Sequence, residues 1–248
     1  MSAMSEGTPV RLAVPFINEE MVERFFLRNP HLQGADITPL DNRERGVGLP
    51  VLYNEFIAAN LERDAWLFFL HEDFEFLGPL PELSGLRTEA VYGTFGARLE
   101  GRKPCMYGRH TCSNKDGSNA RKTGIEIAAP TWVDTLDCQS ILLHSAMLRA
   151  HPGLRFDEGL SFDLYAEEFC LNAQENHGLS VMVLPARFQH YSYGRIIERY
   201  REGLAHLAER YPDSAVPGTC TFIGGRAAEL EAGFTYDNKA LQAEAARR

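Results

Sequence analysis

The sequence predicts an α/β protein whose central sheet is mostly parallel and flanked by helices. Its clearest signal is the run Trp66 to Leu70, five large apolar residues between Asp64 and a group of acids. A strand buried on both faces of a sheet has such an unbroken apolar run, whereas helices usually need ten or more residues. Two strand–helix units precede the run, an order that is typical of nucleotide-binding α/β folds.

The first strand–helix unit begins with a predicted strand over residues 10–17. Asn18 is a suitable N-cap for the helix that follows, and the acid Glu19 favours its first turn. This helix is expected to end near Pro30, because proline cannot continue a helix.

The second unit has a predicted strand over residues 35–40, followed by Asp41. Apolar residues then recur at helical spacing over residues 49–61, with Pro50 near the start. This pattern predicts an amphipathic helix that leads into the Trp66–Leu70 strand.

Three ionisable residues, His71, Glu72 and Asp73, directly follow that strand. Ligands bind outside the carboxyl ends of strands in open α/β sheets. A carboxylate pair there can hold a divalent ion and leave coordination positions for phosphate oxygens. A solvated loop is the plainer interpretation of the same residues.

The second half of the chain carries a basic segment in an otherwise acidic protein. Over residues 101–124, six Lys or Arg residues face a single acid, Asp116. The segment could close over a diphosphate or an anionic acceptor, and a mobile solvated hairpin is the alternative. One predicted strand, 90–99, precedes it, and the stretches 125–130 and 135–144 after it are apolar enough for strands.

Three further elements are predicted towards the carboxyl end: a helix over 163–178, a strand over 179–184 and a helix over 196–211. Asp163 is expected to cap the first of these helices, and Gly178 to end it. Glu167 and Glu168 in its first turn are most simply acids that favour a helix start, and His190 is most simply a surface histidine.

Composition excludes several classes of protein. The net charge of −9 argues against nucleic acid as a partner. No apolar stretch approaches the roughly 20 residues that span a bilayer, and residues 1–9 do not resemble a signal peptide. The five scattered cysteines are expected to be reduced thiols of a cytoplasmic protein. We expect one domain over residues 1–212 and a peripheral tail over 213–248.

The polar groups together resemble known motifs. The segments that carry the resemblance are 14–19, Asp41, 53–54, 69–73, 134–137, 156–160, 162–169, His190, Ser192 and Gly194. In this order they resemble the inverting, metal-dependent glycosyltransferases of family 2, and more closely a family-2-like group typified by a streptomycin-biosynthesis protein. Segment 69–73 resembles the DxD motif of that family, and the resemblance covers about residues 10–195.

The resemblance implies a single-domain glycosyltransferase A type fold, with a nucleotide-binding half over about residues 10–100 and an acceptor-binding half over about 101–195. It implies a divalent ion, Mn²⁺ or Mg²⁺, on Asp73 and His190. The donor would be a nucleotide-diphosphate sugar, the acceptor a hydroxyl group, and Glu168 the general base. The implied nucleotide contacts are Pro15, Phe16, Asn18, Glu19, Asp41, Asn54 and Glu72. The implied acceptor contacts are Asp137, Tyr165 and Glu167.

Ala166 departs from the family pattern. The family usually has aspartate at this position and again two residues later, where this chain has Ala166 and Glu168. Glu168 keeps a carboxylate that could act as a base. The missing acid leaves open a catalytically weak nucleotide-sugar-binding protein of the same fold. A metal-dependent nucleotidyltransferase or phosphohydrolase would use the metal site without Glu168.

Overall fold

A computed structural model describes residues 8–101, 103–193, 198–219 and 225–232 of the chain. Several features considered above lie outside these residues: Arg102, Gly194, Cys220, the predicted helix start at 196–197 and the tail beyond 232. The four cysteines within them are free thiols. No helix among the described residues is long and apolar enough to cross a membrane.

A seven-stranded sheet forms the centre of the fold. Its strands, in spatial order, are β10 (Thr131–Trp132), β13 (Ser180–Val183), β5 (Ala90–Gly93), β12 (Ser140–His144), β3 (Trp66–Leu70), β1 (Val10–Phe16) and β2 (Asp36–Asp41). Three of its six pairings are parallel and three are antiparallel. The prediction of a mostly parallel sheet is therefore wrong, and the sheet is mixed. β12 runs antiparallel between β3 and β5, and an apolar run does not show the direction of a buried strand.

The chain also forms two smaller sheets. One contains β11 (Thr135–Leu136), β6 (Gly96–Glu100) and β7 (Lys103–Tyr107), and the other contains β4 (Phe74–Phe76), β14 (Phe188–His190), β8 (His110–Cys112) and β9 (Arg121–Thr123). The single strand expected over 90–99 is thus two strands in different sheets. Much of the basic segment 101–124 is strand, not loop, and residues 125–130 form no strand.

The helices are α1 (Glu19–Val22), α2 (Leu49–Ala59), α3 (Ser145–Ala150), α4 (Tyr165–Glu175) and α5 (Glu198–Arg210), with a π-helical turn (Glu23–Leu27) and a 3₁₀ turn (Pro30–Leu32) after α1. The side chain of Asn18 caps α1, as predicted, by accepting from the Glu20 amide over 3.1 Å. The prediction of Asp163 as the cap of α4 is wrong. Leu164 precedes this helix with a left-handed φ of 62° and makes no side-chain cap.

The core lies on both faces of β3. Leu67 and Phe69 pack into one apolar cluster with Tyr53 of α2. Trp66 and Phe68 pack into a second cluster on the other face. The prediction that this strand is buried on both sides is confirmed, because its five residues are all buried.

A third apolar cluster joins α4, α5 and part of the segment after residue 212. It contains Leu171 of α4 and Leu207 of α5. Val216, Ala227 and Leu230 from the later segment are buried in the same cluster.

Candidate active site

The carboxyl ends of β3 and β14 meet and bring together His71, Asp73 and His190, which we call the triad. One ligand atom from each of these side chains lies within 4.8 Å of the other two. The pairing of His190 with Phe74 places β14 beside the turn after β3. The Tyr191 amide then donates to the Asp73 carbonyl over 2.8 Å. The structure thus joins Asp73 and His190, 117 residues apart in the chain, and adds His71 to them.

Asp73 and His190 form a partly buried, hydrogen-bonded pair, with Nε2 of His190 3.1 Å from Oδ1 of Asp73. Burial alone would raise the pKa of Asp73, but the charge and hydrogen bond of His190 outweigh it and lower this pKa. Burial likewise opposes a charge on His190, and the carboxylate of Asp73 outweighs it and raises the pKa of the imidazole. Asp73 therefore favours a positive charge beside it, which a metal cation can supply.

His71 is held by bonds to two neighbouring segments. Its amide donates to the Gln139 carbonyl over 3.2 Å, and its Nε2 lies 2.8 Å from the Tyr165 hydroxyl. Burial is the main cause that lowers the pKa of His71 to about 4. The ring is therefore neutral near pH 7 and has one nitrogen lone pair to offer a metal.

The triad fits a divalent transition-metal ion. Imidazole suits transition metals, and carboxylate suits Mn²⁺ as well as Mg²⁺, so this mixed donor set fits Mn²⁺ better than Mg²⁺. The neutral ring of His71 and the ionised carboxylate of Asp73 are in the protonation states that ligands require.

Glu72 joins the end of β3 to the end of β1. Its Oε2 accepts from the amides of Ile17 and Asn18, each over 2.8 Å. Burial raises the pKa of Glu72 despite these two bonds. The contacts hold the turn before α1 beside the triad.

Arg43 links two of the implied nucleotide contacts, Asp41 and Glu19. Its guanidinium pairs with Asp41 at 2.6 Å and with Glu19 at 2.7 Å, and it lies over the ring of Phe16, 5.2 Å from the centroid. Pro15 is buried within β1. Exposed ion pairs contribute little to stability, so a ligand could replace those of Arg43 at small cost.

Asn54 faces the loop over residues 154–159. Its Oδ1 accepts from the Phe156 amide over 3.0 Å. Its Nδ2 donates to the Phe156 carbonyl and to the Glu158 carboxylate, both over 2.9 Å. The hydrogen bonds of Asn54 thus tie α2 to this loop and do not reach the triad.

Asp137 and Glu167, two of the implied acceptor contacts, lie close enough for the charge of one to act on the other. The charge of Asp137 favours the protonated forms of His71 and His190, so it acts on the triad. Burial, and then the charge of Asp137, raise the pKa of Glu167 to about 8. Oε2 of Glu167 is buried and has no hydrogen-bond partner among the described residues. Such a carboxyl group can take up a proton near neutral pH.

Glu168 points towards α5. Its Oε1 accepts from the Tyr211 hydroxyl over 2.9 Å and pairs with Arg210 at 3.1 Å. Burial raises the pKa of Glu168, while Tyr211 and Arg210 act to lower it. Asp157 and His206 are the other charged groups that act on it, and neither belongs to the triad.

Two buried polar side chains near the triad were not identified from the sequence. The ring of His110 stacks on that of His190, with centroids 5.6 Å apart, and its Nε2 lacks a hydrogen-bond partner in the described structure. Both ends of the Gln139 carboxamide also lack partners there. No pattern marks either residue, because His110 lies in a basic, polar segment and Gln139 in a short linker.

Comparison with known proteins supports the fold assignment. No family model matches the sequence, and no curated protein matches it. The chain is similar to the crystal structure of GalNAc-T7 with UDP, GalNAc and Mn²⁺, at a TM-score of 0.51 and 10% identity, over 82% of this chain and 48% of that chain. It is also similar to S. aureus TarS 1–349, at a TM-score of 0.48 and 13% identity, over 94% of this chain and 73% of that chain.

The likeness to GalNAc-T7 concerns the fold alone. The chain has an α/β fold with a mixed central sheet that resembles the glycosyltransferase A fold. It spans about half the length of GalNAc-T7. At 10% identity the likeness assigns no sequence subgroup, and the resemblance to the streptomycin-type group stays a prediction.

Proposed function

We propose that the chain is a metal-dependent, inverting glycosyltransferase that moves a sugar from a nucleotide-diphosphate sugar to a hydroxyl group of a glycan or small molecule. The triad carries this proposal, because it lies at the carboxyl end of the buried strand β3 in a fold of the glycosyltransferase A type. Ligands bind at this edge of open α/β sheets.

The ends of β1, β2 and β3 would bind the donor nucleotide. The loop at Asn18 is held beside the triad by Glu72. Phe16, Glu19 and Asp41 surround the guanidinium of Arg43, whose exposed pairs would open to admit the ligand. A nucleotide bound there would lie next to the residues that would bind the diphosphate-bound ion.

The triad would hold that ion, with the Asp73 carboxylate and one nitrogen each from His71 and His190 as ligands. A divalent ion there supplies positive charge that stabilises the leaving diphosphate. His190 gives up its proton when it becomes a ligand. The positive charge that favours the ionised form of Asp73 would then come from the cation instead of from protonated His190.

Glu167 has surroundings that suit the general base. An acceptor hydroxyl is a weak nucleophile, so a carboxylate must take its proton as its oxygen bonds to the anomeric carbon. The diphosphate leaves from the opposite face with the bonding electron pair, which inverts the anomeric carbon. Glu167 lies beside Asp137 with a pKa of about 8, whereas Glu168, the base that the resemblance implies, is bonded to Tyr211 and Arg210. These electrostatic surroundings support Glu167 over Glu168 as the base.

A product assay tests this function. The protein is incubated with a panel of UDP- and GDP-sugars, Mn²⁺ and a panel of alcohol and sugar acceptors, and the products are identified by mass spectrometry. We expect a glycosylated acceptor and a free nucleoside diphosphate. Asp73→Asn should abolish transfer, while Asp213→Asn, the same change in a side chain that is 91% exposed, should not.

Two other outcomes would contradict the proposal. Release of phosphate or of a nucleoside monophosphate without sugar transfer would favour a phosphohydrolase, and transfer of the nucleoside monophosphate to another group would favour a nucleotidyltransferase. Donor binding without turnover would favour a nucleotide-sugar-binding protein, for which the alanine at position 166 is the motivating observation.

A further inference from the structure

The hydroxyl of Tyr165 lies between two polar groups that constrain its single proton. Its oxygen is 2.6 Å from the Cys138 carbonyl oxygen and 2.8 Å from Nε2 of His71. A carbonyl oxygen can only accept, so the hydroxyl proton goes to Cys138. Nε2 of His71 must then donate its own proton to the Tyr165 oxygen.

This donation determines the tautomer of His71. A neutral imidazole carries one proton, so a ring protonated at Nε2 has its lone pair on Nδ1. Only a nitrogen with a lone pair can bind a metal. Nδ1 is therefore the nitrogen that His71 can contribute to the triad.

We propose that Tyr165 is a positioning residue that fixes the tautomer of His71 and thereby presents its Nδ1 to the metal ion. The identity of the ligand rests on the proposed function, but the tautomer does not. This role replaces the acceptor contact that the resemblance implies for Tyr165, whose side chain is fully buried.

The surroundings of Tyr165 keep its hydroxyl in place. Its ring packs edge-on against Tyr53 and Phe156, with centroids 5.9 and 5.8 Å away. Cys138, which accepts from the hydroxyl, directly precedes Gln139, which accepts from the His71 amide. One short segment therefore holds both the backbone and the ring of His71. Partners of this kind orient metal-binding histidines and tune their affinity.

The first test is the tautomer of His71 in the metal-free protein. Two-dimensional ¹⁵N–¹H spectra of histidine-labelled protein distinguish a protonated Nε2 from a protonated Nδ1, and the spectrum of His71→Gln assigns the signal. We expect the Nε2-protonated form. An Nδ1-protonated ring in the wild-type protein would overturn the proposal, even if no variant folds.

The second test removes the hydroxyl alone. Tyr165→Phe keeps the buried ring, and we expect it to shift His71 towards a mixture of tautomers and to weaken Mn²⁺ binding by about 10- to 100-fold in calorimetry. Tyr92→Phe is the matched control, because this tyrosine is also buried but its hydroxyl donates to the Arg87 carbonyl over 3.0 Å and not to a group that contacts the triad. This control variant should change neither the tautomer of His71 nor the affinity for Mn²⁺.

The outcomes separate this inference from the proposed function. An unchanged tautomer and an unchanged Mn²⁺ affinity in Tyr165→Phe would refute the positioning role. Absence of sugar transfer by a wild-type protein that still binds Mn²⁺ would refute the proposed function and leave the positioning role standing.

Discussion

At the scale of single residues, the neighbouring side chains of Glu167 and Glu168 have different surroundings. Successive residues of a helix point about 100° apart, so one carboxyl group lies beside Asp137 and the other beside Arg210 and Tyr211. The side chains are chemically identical, and the residue pattern alone does not distinguish their roles.

We predict that Glu167→Gln lowers kcat by about 10²-fold or more, because glutamine keeps the shape of the side chain but cannot take a proton. The affinity for the nucleotide, measured by calorimetry, should stay the same. Glu168→Gln is the matched control and should mainly lower the melting temperature, because it removes the charge that faces Arg210. A large loss of kcat in Glu168→Gln and none in Glu167→Gln would reverse the assignment.

The pKa of Glu167 also predicts a pH dependence. A base acts in its deprotonated form, and this pKa is raised to about 8. In the wild-type enzyme kcat/KM should therefore rise with pH and level off near or below 8, since a bound cation would favour the ionised form. With Mn²⁺ saturating at every pH, so that His190 stays bound as a ligand, the residual activity of Glu167→Gln should lack this rise. A wild-type profile that is flat between pH 6 and 9 would exclude Glu167 as the base.

At the scale of elements, the sequence predicts the first half of the fold better than the second. β1, α2 and β3 have clear apolar patterns and polar ends, and the structure confirms them. Over 90–99, Gly93 and Gly96 flank the break between β5 and β6, but glycines within a strand indicate a loosened strand as readily as a break, so the sequence predicts one strand there. The antiparallel direction of β12 depends on contacts that are distant in the chain.

Close packing between backbone segments determines part of the fold in the second half of the chain. Gly124 has a φ of +84°, and an added Cβ would lie 2.1 Å from the Gly108 carbonyl oxygen and 2.7 Å from the ring of Phe95. Phe95 in turn packs on His110, with ring centroids 4.6 Å apart. Gly124 therefore allows the strands that carry His110 to approach the central sheet.

We predict that Gly124→Ala lowers the free energy of unfolding by about 3 kcal/mol or more, because both the backbone angle and the space exclude a side chain. Gly85→Ala is the control: its φ is +78°, but nothing lies within 4 Å of an added Cβ. Gly85→Ala should lower the free energy of unfolding by only about 1–2 kcal/mol. Urea unfolding measures the loss of stability in each variant. Equal losses in the two variants would show that close packing at Gly124 is unimportant.

At the scale of the whole molecule, the candidate site joins residues from both halves of the chain. Asp73 and His190 were predicted as partners from the resemblance, and strand pairing between β4 and β14 explains how they meet. The roles of His71 as a ligand and of Tyr165 as its partner could not be predicted, because they depend on the direction of a hydroxyl and the position of a carbonyl in the folded chain. The stacking of His110 on His190 is likewise defined only by the fold.

Calorimetric titration of Mn²⁺ in the presence of UDP tests the central claim most directly. We predict one Mn²⁺ per chain, with affinity reduced at least about tenfold by each of Asp73→Asn, His71→Gln and His190→Gln, and unchanged by Asp213→Asn. Mg²⁺ should bind more weakly than Mn²⁺, because two of the three ligands are imidazoles. Wild-type protein that binds no Mn²⁺, or three triad variants that bind it as tightly as the wild type, would contradict the account.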